Sequence, residues 1–142
     1  MSEHEKFMRK ALKEAEKAFR LDEVPVGAVA VSGGRIIARA HNKRETLADP
    51  TAHAEILCIR KAAKKLGGWR LNRVVLYSTL EPCAMCFGAV VHSRIGELIY
   101  GADDPKIGAV GGKSSRGLRI KKGVLKKECS GILKSFFRKL RN

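Results

Sequence analysis

Residues 49–78 read DPTAHAEILCIRKAAKKLGGWRLNRVVLYS, and the period of the apolar positions changes inside that stretch. Ile56, Ile59, Ala63 and Leu66 recur at three- and four-residue steps, which predicts a helix with one apolar stripe. Asp49 or Thr51 is its expected N-cap, with Pro50 in the first turn. Gly67-Gly68 ends it, and Val74 to Ser78 follows as a buried strand. A helix followed at once by a strand is the unit of an α/β layered domain.

Outward from that unit the same alternation continues. Glu3 to Leu21 places Phe7, Ala11, Ala15, Ala18 and Phe19 on one helical face, with Lys and Glu between them. Pro25 to Val31 and Arg35 to Ala40 are apolar runs joined through Gly33-Gly34, which suits a tight antiparallel hairpin. Downstream, Glu81-Pro82 stops the third strand and Cys83 to Val91 reads as a short buried helix. Glu97 to Gly101 and Leu118 to Lys122 read as further strands, and a closing helix near Leu125 to Leu140 carries Cys129, Ile132, Leu133 and Phe136 on one side. The expectation is a mixed sheet of about five strands with helices on both faces, in one domain over residues 1–142. Asp103 to Gly117, rich in Gly, Lys and Ser, reads as a surface loop.

Composition narrows the class. No run approaches the roughly 20 apolar residues that span a bilayer, and the first residues are no secretion signal, so a soluble, cytoplasmic protein without a membrane partner is expected. The net charge is +15, and eleven basic residues against one acidic from Lys113 to Asn142 put +10 of it in the last thirty positions. A polyanionic partner fits that bias, since neutralising phosphates releases counterions; a solvated basic face and a membrane-surface helix are the alternatives.

Four cysteines remain, with no secretion signal to favour disulfides. His53-Ala54-Glu55 and Pro82-Cys83-Ala84-Met85-Cys86 are each weak alone. A CxxC after a strand and opening a helix is also the thioredoxin arrangement. Taken together, His53, Cys83 and Cys86 supply three zinc ligands and leave the fourth tetrahedral position open, as in catalytic rather than structural sites. Cys58 lies about 140° around the helix from His53 and Cys129 lies in another stripe, so both read as small core residues. Glu55 stands about 200° from His53 on an ideal helix, so the site must lie over the first turns. There a carboxylate that is not a ligand can shuttle protons between a metal-activated water and a substrate.

The signature HAE with PCxxC resembles that of the zinc deaminases. Further stretches, Glu23 to Val29, His41-Asn42, Asp49 to Ile56, Thr79 to Cys86, Val91 to Ile95, Gly101 to Lys106 and Ser135 to Arg138, look like bacterial tRNA-specific adenosine deaminases across nearly the whole chain. The resemblance implies a three-layer α/β/α fold of the cytidine-deaminase kind, one zinc ion per chain, and conversion of a wobble adenosine to inosine by a homodimer that grips the anticodon stem-loop of a tRNA. It also implies that Asn42, Ala54, Asp104 and Lys106 bind substrate. One departure stands out: Gly112 to Leu118 is shorter than the family pattern and carries Lys113-Ser114-Ser115-Arg116, which bears on RNA contacts. The competing readings are deamination of a free base such as cytosine or guanine, a non-catalytic zinc protein that binds RNA, and a thiol-disulfide enzyme.

Overall fold

Gly33 and Gly34 both take positive φ, 59° and 75°, the values a tight turn needs, and join β1 (Gly27–Ser32) to β2 (Arg35–His41) as an antiparallel hairpin. The computed structural model describes residues 1–110 and 117–142. On its other edge β1 pairs antiparallel with β3 (Val75–Leu80), which pairs parallel with β4 (Glu97–Ala102), and β4 in turn with β5 (Arg119–Lys122). The order is β2-β1-β3-β4-β5, a mixed five-stranded sheet. Arg119, Lys121 and Lys122 keep the exposed β5 edge charged, which discourages edge-to-edge pairing.

Side chains alternate between two cores because successive residues of a strand face opposite ways. Val29, Val31, Tyr77 and Ile99 pack beneath α1 (Glu3–Arg20) and α4 (Lys126–Arg141), against Phe7, Met8 and Cys129. Ala28, Ala30, Leu76 and Leu98 face α2 (Ala54–Leu66) and α3 (Ala84–His92), against Ala54, Cys58, Phe87 and Val90. The result is the three-layer arrangement expected from the sequence. Cys58 and Cys129 are fully buried core residues.

Two local expectations are corrected. The second helix begins at Ala54, with His53 as its N-cap, rather than at Asp49 or Thr51 with Pro50 in its first turn. Asp49 is spent otherwise: its Oδ1 accepts from the amide (2.8 Å) and hydroxyl (2.7 Å) of Thr51, closing a turn that delays the helix. The buried face of α2 is Ala54, Glu55, Cys58 and Ala62, not the stripe of Ile56, Ile59, Ala63 and Leu66. The facing strands offer Ala28, Ala30, Ala38 and Ala40, so small residues on the helix allow close approach, while Ile59 and Ala63 flank the contact and Leu66 is 48% exposed.

Glycine sets the seat of α1. Any Cβ at Gly27 would run into the Ala11 carbonyl, the Ala15 amide and Glu14, so the helix crosses the start of β1 at backbone distance. The helix is held at its own N-terminus by a capping box in which Ser2 Oγ accepts from the Glu5 amide (3.1 Å) and Glu5 accepts from the Ser2 amide (3.1 Å). Gly27→Ala should therefore cost about 2–3 kcal/mol in urea-induced unfolding. A stability equal to wild type would show that α1 has slack the geometry denies.

Candidate active site

Two helix N-termini converge beside the end of β3. His53 caps α2 with extended backbone (φ −74°, ψ 150°) and Cys83 caps α3 the same way (φ −73°, ψ 177°), and neither side chain makes a capping hydrogen bond. Both side chains turn instead towards a common point. Cys86, in the first turn of α3, completes the group: His53 Nδ1 lies 3.7 Å from Cys83 Sγ and 3.4 Å from Cys86 Sγ. The three candidate ligand atoms all fall within 4.8 Å of one another.

Those distances fit a metal. With Zn–S near 2.3 Å and Zn–N near 2.05 Å at tetrahedral angles, sulfur and nitrogen sit about 3.6 Å apart, between the two values found. Among the described residues no other group of three such side chains gathers in this way, and no fourth ligand joins this one. Burial, with a contribution from Arg44, lowers the His53 pKa, which keeps the imidazole neutral and Nδ1 free to ligate. Burial raises the Cys86 thiol above the ordinary range, so that thiol keeps its proton until a cation displaces it. A histidine nitrogen set between both sulfurs has no part in a thiol-disulfide pair, so the geometry favours ligation.

Glu55 follows in the first turn of α2, 4% exposed, and stands outside the ligand cluster. Because His53 is a cap and not a helical residue, the 200° expected between the two does not apply, and both reach the same cavity. Burial pushes the Glu55 carboxyl up to about 7, against the opposing pull of its own backbone amide and the Cys86 thiol. A carboxyl poised near neutrality can take and return a proton at little cost.

The cavity over these residues measures about 50 Å³ and is also lined by Asn42, Leu80, Asp104 and Ile107. Asn42 Oδ1 accepts from the Ala54 amide at 2.7 Å, supplying the cap that His53 does not. Of the expected substrate residues, Asn42 and Asp104 thus line the cavity, and Ala54 is buried with its amide engaged. Lys106 lines an outer groove of about 430 Å³ that shares Leu80, Asp104 and Ile107 with the cavity and adds Arg44 and Phe137. Lys113 to Arg116, in the shortened segment, lie outside the described residues. A groove of about 550 Å³ between α1 and α4 is larger than either, but it is lined by Arg9, Phe19 and Ile132 among others and includes none of the triplet.

Sequence reasoning missed three buried carboxylates behind the site. Glu14, on the core face of α1, accepts from Lys17 (2.7 Å) and pairs with His41 Nδ1 (3.1 Å). Glu23 accepts from the Glu45 amide (3.2 Å) and from the Thr46 amide and hydroxyl (2.7 Å each), pinning the segment that carries Arg44. Glu81 accepts from the amides of Asp104 and Val110, at 3.0 Å each. A signal existed for Glu14, which falls three residues after Ala11 and four before Ala18 on the apolar face. The 103–110 segment is accordingly less of a free surface loop than expected: Val110 is buried and Gly108 bridges to Cys83.

A sheet of this order, with two helix N-termini presenting one histidine, two cysteines and a separate carboxylate, defines the class of hydrolytic deaminases with the cytidine-deaminase-like fold. A model of the MafB19-like deaminase family matches residues 2–141, and the chain belongs to that family. The tRNA-specific adenosine deaminase of Bacillus subtilis (strain 168) is 50% identical over 149 residues, covering 99% of this chain and 92% of the relative. That of Haemophilus influenzae is 48% identical, covering 96% and 84%. A solved structure from a study of A-to-I editing by tRNA:A34 deaminases at the wobble position matches with a TM-score of 0.86 and 46% identity, over 90% of this chain and 99% of that one.

The Glu23 hydrogen bonds generate a pH prediction. Burial pushes this carboxyl up, but the bonds from Thr46 and Glu45 outweigh it and hold the pKa below the ordinary 4.5. Ionised Glu23 therefore stabilises the fold above that pH, and the contribution is lost as pH falls through the lower native value. Glu23→Gln should be about 1–2 kcal/mol less stable than wild type in urea at pH 7, with the gap closing towards pH ~3. A gap independent of pH would contradict the assignment.

Proposed function

We propose that this chain hydrolyses adenosine to inosine at the wobble position of a tRNA anticodon, with one zinc ion held by His53, Cys83 and Cys86 and with Glu55 moving the protons. The observation that carries the reading is the donor set: three ligand atoms spaced for a tetrahedral ion, a direction left open, and a separate buried carboxyl near neutrality. Zinc, when bound, supplies Lewis-acid activation of the attacking water. Glu55 takes a proton from that water and delivers it to N1 of the adenine ring as the oxygen bonds to C6. The same carboxyl then takes the remaining proton from the new C6 hydroxyl and delivers it to the departing amine, so the C6–N bond breaks, ammonia leaves, and inosine remains with a C6 carbonyl and a proton on N1. Asn42, fixed through its Oδ1 by the Ala54 amide, turns its amide nitrogen to the nucleoside, and Asp104 and Lys106 meet the RNA at the mouth of the cavity.

The surface around the mouth supports an RNA rather than a free base. Lys106, Lys134, Arg138 and Arg141 ring a further groove of about 400 Å³ that shares Lys106 and Phe137 with the outer groove. Phe137 is 43% exposed, available for stacking beside those cations. A loop already single-stranded spares the cost of unpairing the base. The same reading has one deaminase domain over 1–142 and a cytoplasmic homodimer. No helix among the described residues is long and apolar enough to cross a membrane, and exposed Leu66, Trp69 and Met85 beside α2 and α3 offer apolar surface for a second copy.

Two measurements test the reading. Glu55→Ala should keep a full complement of zinc by metal analysis yet lose at least about 10³-fold in kcat on an anticodon stem-loop. Retained activity would mean that the proton shuttle is another group. Stem-loop binding should weaken about tenfold or more between about 50 and about 200 mM salt, as expected if roughly three phosphates are neutralised. A flat response would point to a small neutral substrate.

A further inference from the structure

We propose that Glu81 is a positioning residue for the substrate wall: its carboxylate ties the 103–110 segment at both ends to the strand-to-helix junction that carries Cys83. The inference rests on the reading above for its substrate and on the following geometry for its substance. Oε1 accepts from the Asp104 amide and Oε2 from the Val110 amide, each at 3.0 Å. The backbone reinforces the tie, with the Glu81 amide donating to Ala102 O (2.8 Å), the Ala109 amide to Pro82 O (3.0 Å), and Gly108 bridging to Cys83. Between the anchors, Asp104 Oδ1 accepts from the amides of Lys106 (3.1 Å) and Ile107 (3.2 Å), so the tip takes its place from Asp104, and Asp104 from Glu81.

That tip is the outer wall of the site. Asp104 and Ile107 line both the cavity and the outer groove, and Ile107 is 61% exposed. The position of that wall sets the mouth through which a substrate base reaches the triplet and Glu55.

The residue type follows from the partners. Both anchors are N–H donors, so two acceptor oxygens are needed; a glutamine offers one acceptor and one donor and must leave an amide unmet. Val110 is buried, so water does not take over readily. Gly108 is the counterpart, since a Cβ there would strike the Glu81 carboxyl and the Asp104 carbonyl.

The test uses the zinc-loaded full chain and an anticodon stem-loop with adenosine at the wobble position. Glu81→Gln should raise KM about tenfold while kcat falls less than about threefold and zinc content stays full; Gly108→Ala, which presses on the same wall, should also raise KM. A role confined to stability would lower the active fraction and Tm without moving KM. KM within about twofold of wild type in both variants overturns the proposal, as does joint loss of zinc and rate. Hydrogen exchange on the wild type decides the case should the variants fail to fold: the Asp104 and Val110 amides should exchange at least about tenfold more slowly than those of Lys106 and Ile107, and equal rates overturn it. That measurement needs no turnover. A wild type that leaves the stem-loop untouched would instead count against the proposed function.

Discussion

Everything at the candidate site depends on two helices that start without ordinary caps. Ser, Thr, Asp or Asn at an N-cap is worth about 1 kcal/mol, and both α2 and α3 forgo it, placing His53 and Cys83 where a capping side chain would bend back onto the backbone. Their side chains are thereby freed to point outward at one another, and the positive ends of two helix dipoles are aimed at one spot. At α2 the lost cap is replaced by Asn42 reaching over from the end of β2.

The sheet makes that convergence possible. β3 is flanked by antiparallel β1 and parallel β4, so the ends of β2 and β3 and the segment after β4 all open on the same side, and residues distant in the chain meet there. Buried carboxylates then fix what the strands leave loose: Glu14 holds His41 beside Asn42, Glu23 holds the Arg44 segment, and Glu81 holds the wall at Asp104. Burial opposes ionisation in Glu14 and Glu23, and hydrogen bonds win in both, leaving their pKa values low. Glu55 is the contrast, buried without enough such donors and therefore pushed up. Carboxyls of the same chemistry are thus set apart by the number of donors each one meets.

Much of this was legible in the chain. Period and turn residues marked the described helices and strands, because those signals are local, and the motifs carrying His53, Cys83 and Cys86 pointed to three side chains that the fold does bring together, with Glu55 beside them. What stayed hidden depends on partners far along the sequence. The start of α2 moved because Asp49 had a nearer use in the Thr51 turn, and its buried face rotated because the facing strands are rich in alanine. Glu81 looked like a strand terminator until Asp104 and Val110 arrived at its two oxygens.

The central claim is that this geometry deaminates adenosine held in an RNA loop, and one assay addresses it directly. The zinc-loaded protein is incubated with three anticodon stem-loops that differ only in carrying adenosine, cytidine or guanosine at the wobble position, and inosine and ammonia are scored. Inosine with equimolar ammonia from the adenosine loop, and no ammonia from the other two, is the result this structure predicts. Ammonia from the cytidine or guanosine loop, or none from any, would contradict it.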